Sequence, residues 1–265
     1  MKHSEIFPFD VAGAAPADLR AVFRRGAFTG DTGGMALGHL QGNLAIVPEA
    51  HALDFARFCQ RNPRPCPLIG ISDTGNPDLW MLGEGIDVRT DLPNYYVYRN
   101  GVLDGEQTDI KDLWRDDSVA FLLGCSFSFE AALAEAGLPL RHMELGSLVP
   151  MYKTNIDLTP SGRFRGTMVV SMRPMPAAKA ELAREVTGRF PGSHGAPVQI
   201  GNPQAIGVAD VDTPDWGDPT EFRDGEVPVF WACGVTPQNA LLSADIDIVI
   251  THKPGSMLIT DLPSR

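Results

Sequence analysis

The chain carries one segment twice. VAFLLGCSFSFEAAL, ending at Leu133, and PVFWACGVTPQNALL, ending at Leu242, follow the same pattern. An apolar run leads to a small residue and then to Cys125 or Cys233. A small and an apolar residue follow, then Ser128 or Thr236, Glu130 or Gln238, and an Ala-Leu pair. The match continues outwards. LRHMELGSL around His142 answers ITHKPGSML around His252, and VYRNG ending at Gly101 answers EFRDG ending at Gly225. Further upstream, GNLAIVP from Gly42 answers GTMVVSMRP from Gly166. A repeated unit with one cysteine at each strand-to-helix turn predicts a pseudo-twofold, internally duplicated protein with a single site where the copies meet.

Strands and helices alternate along the chain, which points to an α/β fold. The predicted helices cover residues 17–25, 51–62, 129–137, 177–187 and 237–244, and the predicted strands cover 118–123, 139–145, 167–172, 197–201, 228–232, 246–251 and 257–260. LAIVP adds a buried strand, and Leu53, Phe55, Phe58 and Cys59 offer a core face to the second helix. Asn100-Gly101 marks a hairpin turn inside residues 73–111, which read as a smaller α+β subdomain. The expected architecture is therefore internally duplicated mixed-sheet layers plus that subdomain. Residues 1–150 would form the first α/β repeat and 151–265 the second.

A chain of 265 residues with 43% hydrophobic content has the apolar material for one large core or two modest ones. Its net charge of -11 argues against nucleic-acid binding, which needs basic surface in quantity. Apolar stretches such as SVAFLLGCSFSF fall short of the roughly 18 residues that a membrane span requires. The start, MKHSEIFPFD, lacks a leader's apolar core. Four cysteines without a CxxC pair predict reduced thiols, and the whole reads as a cytoplasmic protein. Homo-oligomerisation stays open.

The chemistry-bearing residues gather at predicted strand ends. Cys125 with Ser126, and Cys233, sit at the edges where open α/β sheets bind ligands. Free backbone amides at the following helix starts suit a small anionic substrate. Ser128 and Thr236 serve either as substrate contacts or as helix caps. Arg173, ending a buried strand, can grip a carboxylate in bidentate fashion, and Arg61 and Asn155 are further binding candidates. His194, in a glycine-flanked loop, is a more attractive base than His142 or His252, which equally serve to tie down turns. Asp210, Asp212, Asp215 and Asp218 read as solvated turns. No motif supports a cofactor, and a divalent metal, manganese or magnesium, has none either. GCSFS lacks the last glycine of GxSxG, which leaves a serine hydrolase built on Ser126 as a weak alternative. The same anchors would also serve a non-catalytic sensor of small carboxylates.

Taken together, QGNLAIVP, FCQRNPRPCPL, RTDLPNYYVYRNG, FLLGCSFSFEAAL, VPMYKTNI, VVSMRPMP, RFPGSHGAPVQIG, PVFWACGVTPQ and ITHKPGSMLITDL resemble the D-glutamate cyclase family, whose bacterial members go by the name hydro-lyase. The resemblance spans nearly the whole chain, from about Arg25 to Leu262. It implies a two-part α/β architecture and loss of water from D-glutamate to give 5-oxo-D-proline. For that reaction proton transfer is expected of His194 or Cys125, with Cys233 a further catalytic residue, Arg173 the carboxylate clamp and the two cysteine turns anion holes.

Overall fold

The computed structural model describes residues 6–264; residues 1–5, where the reading of a missing leader core begins, and Arg265 lie outside the described residues. Strand β1 (His39–Pro48) is buried along almost its whole length and lies inside a seven-stranded sheet. It pairs with β5 (Ser118–Gly124) on one side. On the other it pairs with β10 (Ile248–His252) and then β11 (Leu258–Pro263). Strand β2 (Leu68–Ile71) extends the sheet beyond β5, and the hairpin β3 (Tyr95–Arg99) and β4 (Val102–Gln107) extends it beyond β10. Asn100 and Gly101 take φ of 50° and 77° at the hairpin turn, the positive values that an Asn-Gly turn favours.

The second sheet has the order β6 (Met151–Asp157), β7 (Thr167–Pro176), β9 (Glu226–Ala232), β8 (Gln199–Ile200). Every ladder in both sheets is antiparallel, which corrects the expectation of mixed sheets. The last two strands of the chain join the first sheet, so sheet membership does not change at a single point in the sequence.

Alternation along the strands divides the core. Leu44 and Ile46 face a cluster with Leu122, Leu258 and the loop residues Leu82 and Val88. Ala45 and Val47 face the opposite way, into a larger core that Phe121 and Leu123 share with Val170, Met172 and Phe230 of the second sheet. The two sheets thus meet through one core. Helix α2 (Glu49–Arg61) closes that core with Phe55, Phe58 and Cys59. Leu53, expected on the same face, is 63% exposed. Two residues before Phe55 is about 200° around a helix, which sends Leu53 to solvent. Helices α3 (Phe127–Glu135) and α5 (Ala180–Thr187) cover the far face of the second sheet through Phe129, Leu133, Ala183 and Trp231. Helix α1 (Pro16–Phe23) is pinned by Arg20, whose guanidinium bonds the Ile259 carbonyl and the Asp261 carboxylate.

One predicted strand is absent. Within residues 139–145 the chain forms helix α4 (Arg141–Leu145), closed by Gly146 at φ 63° and by the Ser147 amide donating to the His142 carbonyl at 2.9 Å. That left-handed glycine is an ordinary helix terminator. It turns the His142 side chain onto a different path from His252, which remains on a strand.

Candidate active site

The cysteine turns are built alike. The Cys125 amide donates to the Gln41 carbonyl at 2.9 Å, and the Cys233 amide to the Val169 carbonyl at 3.0 Å. The Ser128 and Thr236 hydroxyls do not cap their helices. Helix α3 starts after Ser126, and α6 (Val235–Leu242) starts after Gly234, neither with a side-chain cap. Each hydroxyl instead accepts from the neighbouring strand, Ser128 from the Gln41 amide and Thr236 from the Val169 amide, both at 2.9 Å. Gln41 therefore corresponds to Val169. The glycine-to-glycine match of Gly42 with Gly166 is off by four residues, because small residues align by chemistry rather than by ladder position. Asn43 links the turns. Its amide donates to the Leu123 and Gly124 carbonyls, and a Cβ on Gly234 would fall 2.3 Å from that side chain.

Glu130 and Gln238 occupy matched positions on α3 and α6, and each meets the histidine paired with it in sequence. Gln238 Nε2 lies 3.2 Å from His252 Nδ1 in a fully buried contact. Glu130 Oε1 lies 3.0 Å from His142 Nε2, at ion-pair distance but outside hydrogen-bond alignment. The same carboxylate receives Nε and Nη2 of Arg173. Burial works against the charge on Glu130, but Arg173 and His142 outweigh it and hold the carboxyl below its usual range.

Arg173 is fully buried on β7. Its guanidinium lies 5.5 Å from the ring centres of both Phe129 and Trp231, and its remaining N–H groups reach Ser171 Oγ at 3.3 Å and Ser126 Oγ at 3.2 Å. The carboxylate it grips is the protein's own. Glu130 thus lies between the Arg173 guanidinium and the His142 imidazole.

His142 opens onto a cleft of about 270 Å³, lined also by Asp31, Gly33, Phe127, Met143 and Ser147. Such a volume accommodates a small organic acid. Asp31 stands exposed at its mouth, held by the Gly33 amide at 2.5 Å. Protein packed around the Asp31 carboxyl disfavours its charge and pushes it up to about 6; the Gly33 amide opposes this, Glu130 adds to it and His142 opposes it. Ser147 Oγ is buried and has no hydrogen-bond partner among the described residues. An imidazole, a carboxyl with a raised pKa and a buried hydroxyl thus line one cavity. Among the described residues, no group of three His, Cys, Asp or Glu side chains is arranged to hold a metal ion.

Other expected residues lie elsewhere or in another state. Burial pushes the Cys125 thiol up to about 12 and the Cys233 thiol up to about 11, so both stay protonated, and neither lines the cleft. His194 sits at φ 75° in a turn packed against the end of β5, with Nδ1 donating to the Arg64 carbonyl at 2.8 Å. Burial lowers its pKa to about 4. Arg61 is exposed and donates to the Pro160 carbonyl at 2.5 Å, and Asn155 is exposed beside Gly207. Neither reaches the Arg173 cluster. Asp210, Asp215 and Asp218 accept backbone N–H groups from Asp212, Lys153 and Leu148. Asp31, Asn43 and Ser147 were not legible as site residues; Glu130 was visible only as the repeat partner of Gln238.

The model of the D-glutamate cyclase family matches residues 119–261. A protein of Jannaschia sp. (strain CCS1) named "Putative hydro-lyase" is 59% identical over 94% of both chains. A hydro-lyase so named from Bordetella petrii is 58% identical over 90% of both, and one from Thermoanaerobacter sp. (strain X514) is 55% identical over 93% of both. Among solved structures, a nitrogen repressor-like protein of Methanococcus jannaschii covers 81% of this chain and 82% of its own at 12% identity and a TM-score of 0.39, too distant to carry an argument. By its family match and by these full-length relatives, the chain belongs to the D-glutamate cyclase family.

Proposed function

We propose that the chain is a hydro-lyase whose cleft between Asp31 and His142 removes water from a small amino acid, with D-glutamate as substrate and 5-oxo-D-proline as product. The observation that carries this is the meeting of His142, backed by the Glu130–Arg173 pair, with a high-pKa carboxyl in one cavity of substrate size. The family and the names of its relatives support the reaction class.

The reaction needs two protons moved from nitrogen to oxygen. The α-ammonium loses one proton to His142, and the freed amine attacks the γ-carboxyl carbon. Glu130 stabilises the imidazolium so formed, and Arg173 keeps Glu130 charged. Protonated Asp31 delivers its proton to the departing oxygen, and the imidazolium and the second nitrogen proton complete water and restore both side chains. The C–N bond forms, one C–O bond breaks, and no net proton stays on the protein. Ser147 Oγ supplies a hydrogen bond to a substrate carboxylate. The matched cysteine turns are read as the remains of a duplication in which Gln238 and His252 form a silent counterpart.

Proton NMR of the protein with D-glutamate and, separately, L-glutamate tests this. Product from one enantiomer, lost in His142→Ala and kept in Cys125→Ala, is the expected result. Full turnover by His142→Ala, or no 5-oxoproline from either enantiomer with folded protein, overturns it.

A further inference from the structure

A second cavity, of about 60 Å³, lies against the first, with Glu130, Gln41 and His39 in its lining. Two residues line both spaces, Phe127 and Met143. The wall they form closes on the glycine turn. A Cβ on Gly34 would lie 3.2 Å from the Met143 methyl, and a Cβ on Gly33 would lie 3.7 Å from the Phe127 ring. Gly34 faces the smaller cavity and Gly33 the larger.

The two halves of the wall differ in freedom. Phe127 is 8% exposed and packs with Cys125 and Met257. Met143 is 43% exposed on the five-residue helix α4. Its unbranched chain has three rotatable bonds and adapts readily to what it touches. Glu130 borders the smaller cavity and His142 the larger, so the barrier lies directly beside the Glu130–His142 pair that the proposed reaction uses.

From this geometry we infer that Met143, braced by Phe127, sets the length of the acid that the cleft accepts. The inference rests on the reaction proposed above. An acid seated between Asp31 and His142 ends against the Met143 thioether. A chain longer by one methylene has to displace that side chain into the smaller cavity. Shortening Met143 joins the two spaces and removes the stop. The length discriminated is that between a substrate closing a five-membered lactam and one closing a six-membered lactam.

The test compares wild type with Met143→Ala and with Met143→Leu, which keeps the bulk. Binding of glutarate and adipate, diacids that have no amine and cannot react, is measured by calorimetry, and turnover of D-glutamate and D-2-aminoadipate is measured alongside. One methylene in a fitted apolar pocket discriminates by about tenfold or more. Met143→Ala is therefore expected to shift the adipate-to-glutarate affinity ratio by about tenfold towards adipate, with Met143→Leu close to wild type. An equal change for both diacids, or no binding of either to any form, overturns the inference. Diacid binding without any 5-oxoproline overturns the proposed reaction instead, and the affinity ratio still decides the role of Met143.

Discussion

His142 Nε2 stands 3.0 Å from Oε1 of Glu130, and the same oxygen is held by Arg173. The pair separates two effects that mutation usually mixes. His142 borders the cleft, so His142→Ala is expected to lower turnover by about 10²–10⁴-fold, the usual worth of a general base. Glu130→Ala strands a fully buried guanidinium and is expected to cost about 3–5 kcal/mol of stability as well. Denaturant titration and initial rates on both variants check this. Equal stability loss in the two would place His142 in a structural role.

In the proposed reaction Asp31 is expected to set a pH limit. With its carboxyl pushed up to about 6, the protonated acid disappears as pH rises through that value, and kcat/KM is expected to fall on an alkaline limb with a pKa near 6. Asp31→Asn should abolish the limb. Glu130→Gln removes a negative charge that holds the value up and should move the limb to lower pH. A pH profile unchanged in Asp31→Asn would show that this carboxyl does not donate the proton.

The thiols should be quiet. A thiol raised to about 12 or about 11 contributes almost no thiolate at pH 8, and thiolate is the reactive form. Iodoacetamide at pH 8 is expected to leave Cys125 and Cys233 unmodified in the folded protein and to label both after unfolding, as read by mass spectrometry. Fast labelling of either in the native protein would reopen a nucleophilic role for it.

The cysteine turns were legible because their pattern is local. An apolar strand, a small residue and a helix start fall within fifteen consecutive residues. The contacts of Glu130 with His142 and of Gln238 with His252 were not legible. Leu140, Met143 and Leu145 look like part of an extended run, and only Gly146 behind them signals the helix that carries His142 to the cleft. Asp31 had no local signal at all. It reaches the site because the Thr32 amide bonds the Gly255 carbonyl, 223 residues away. A sequence cannot say which carboxylate an arginine grips, and the partner of Arg173 is Glu130 on α3.

Two buried histidines and one carboxyl make opposite contributions to stability near pH 5. Burial lowers the pKa of both His194 and His252 to about 4, from an ordinary 6.5. Between those values the unfolded chain binds a proton on each that the folded chain refuses, so stability is full above pH 6.5 and falls as pH drops towards 4. By pH 4 each histidine accounts for a loss of about 3 kcal/mol. Asp31 runs the other way. Raised from 3.8 to about 6, it is protonated in the folded chain and charged in the unfolded one, so it adds stability as pH falls through 6, though solvent screens part of the effect at its exposed position. At pH 5 the two histidines together take up nearly two protons on unfolding, and Asp31, screened at its exposed position, offsets this only in part, so stability falls as pH drops. Urea titrations from pH 7 to pH 4.5 should show stability falling in the wild type, more steeply in Asp31→Asn, and less steeply in His252→Gln. A wild-type stability that does not change over this range would mean that solvent protons reach both imidazoles in the folded chain.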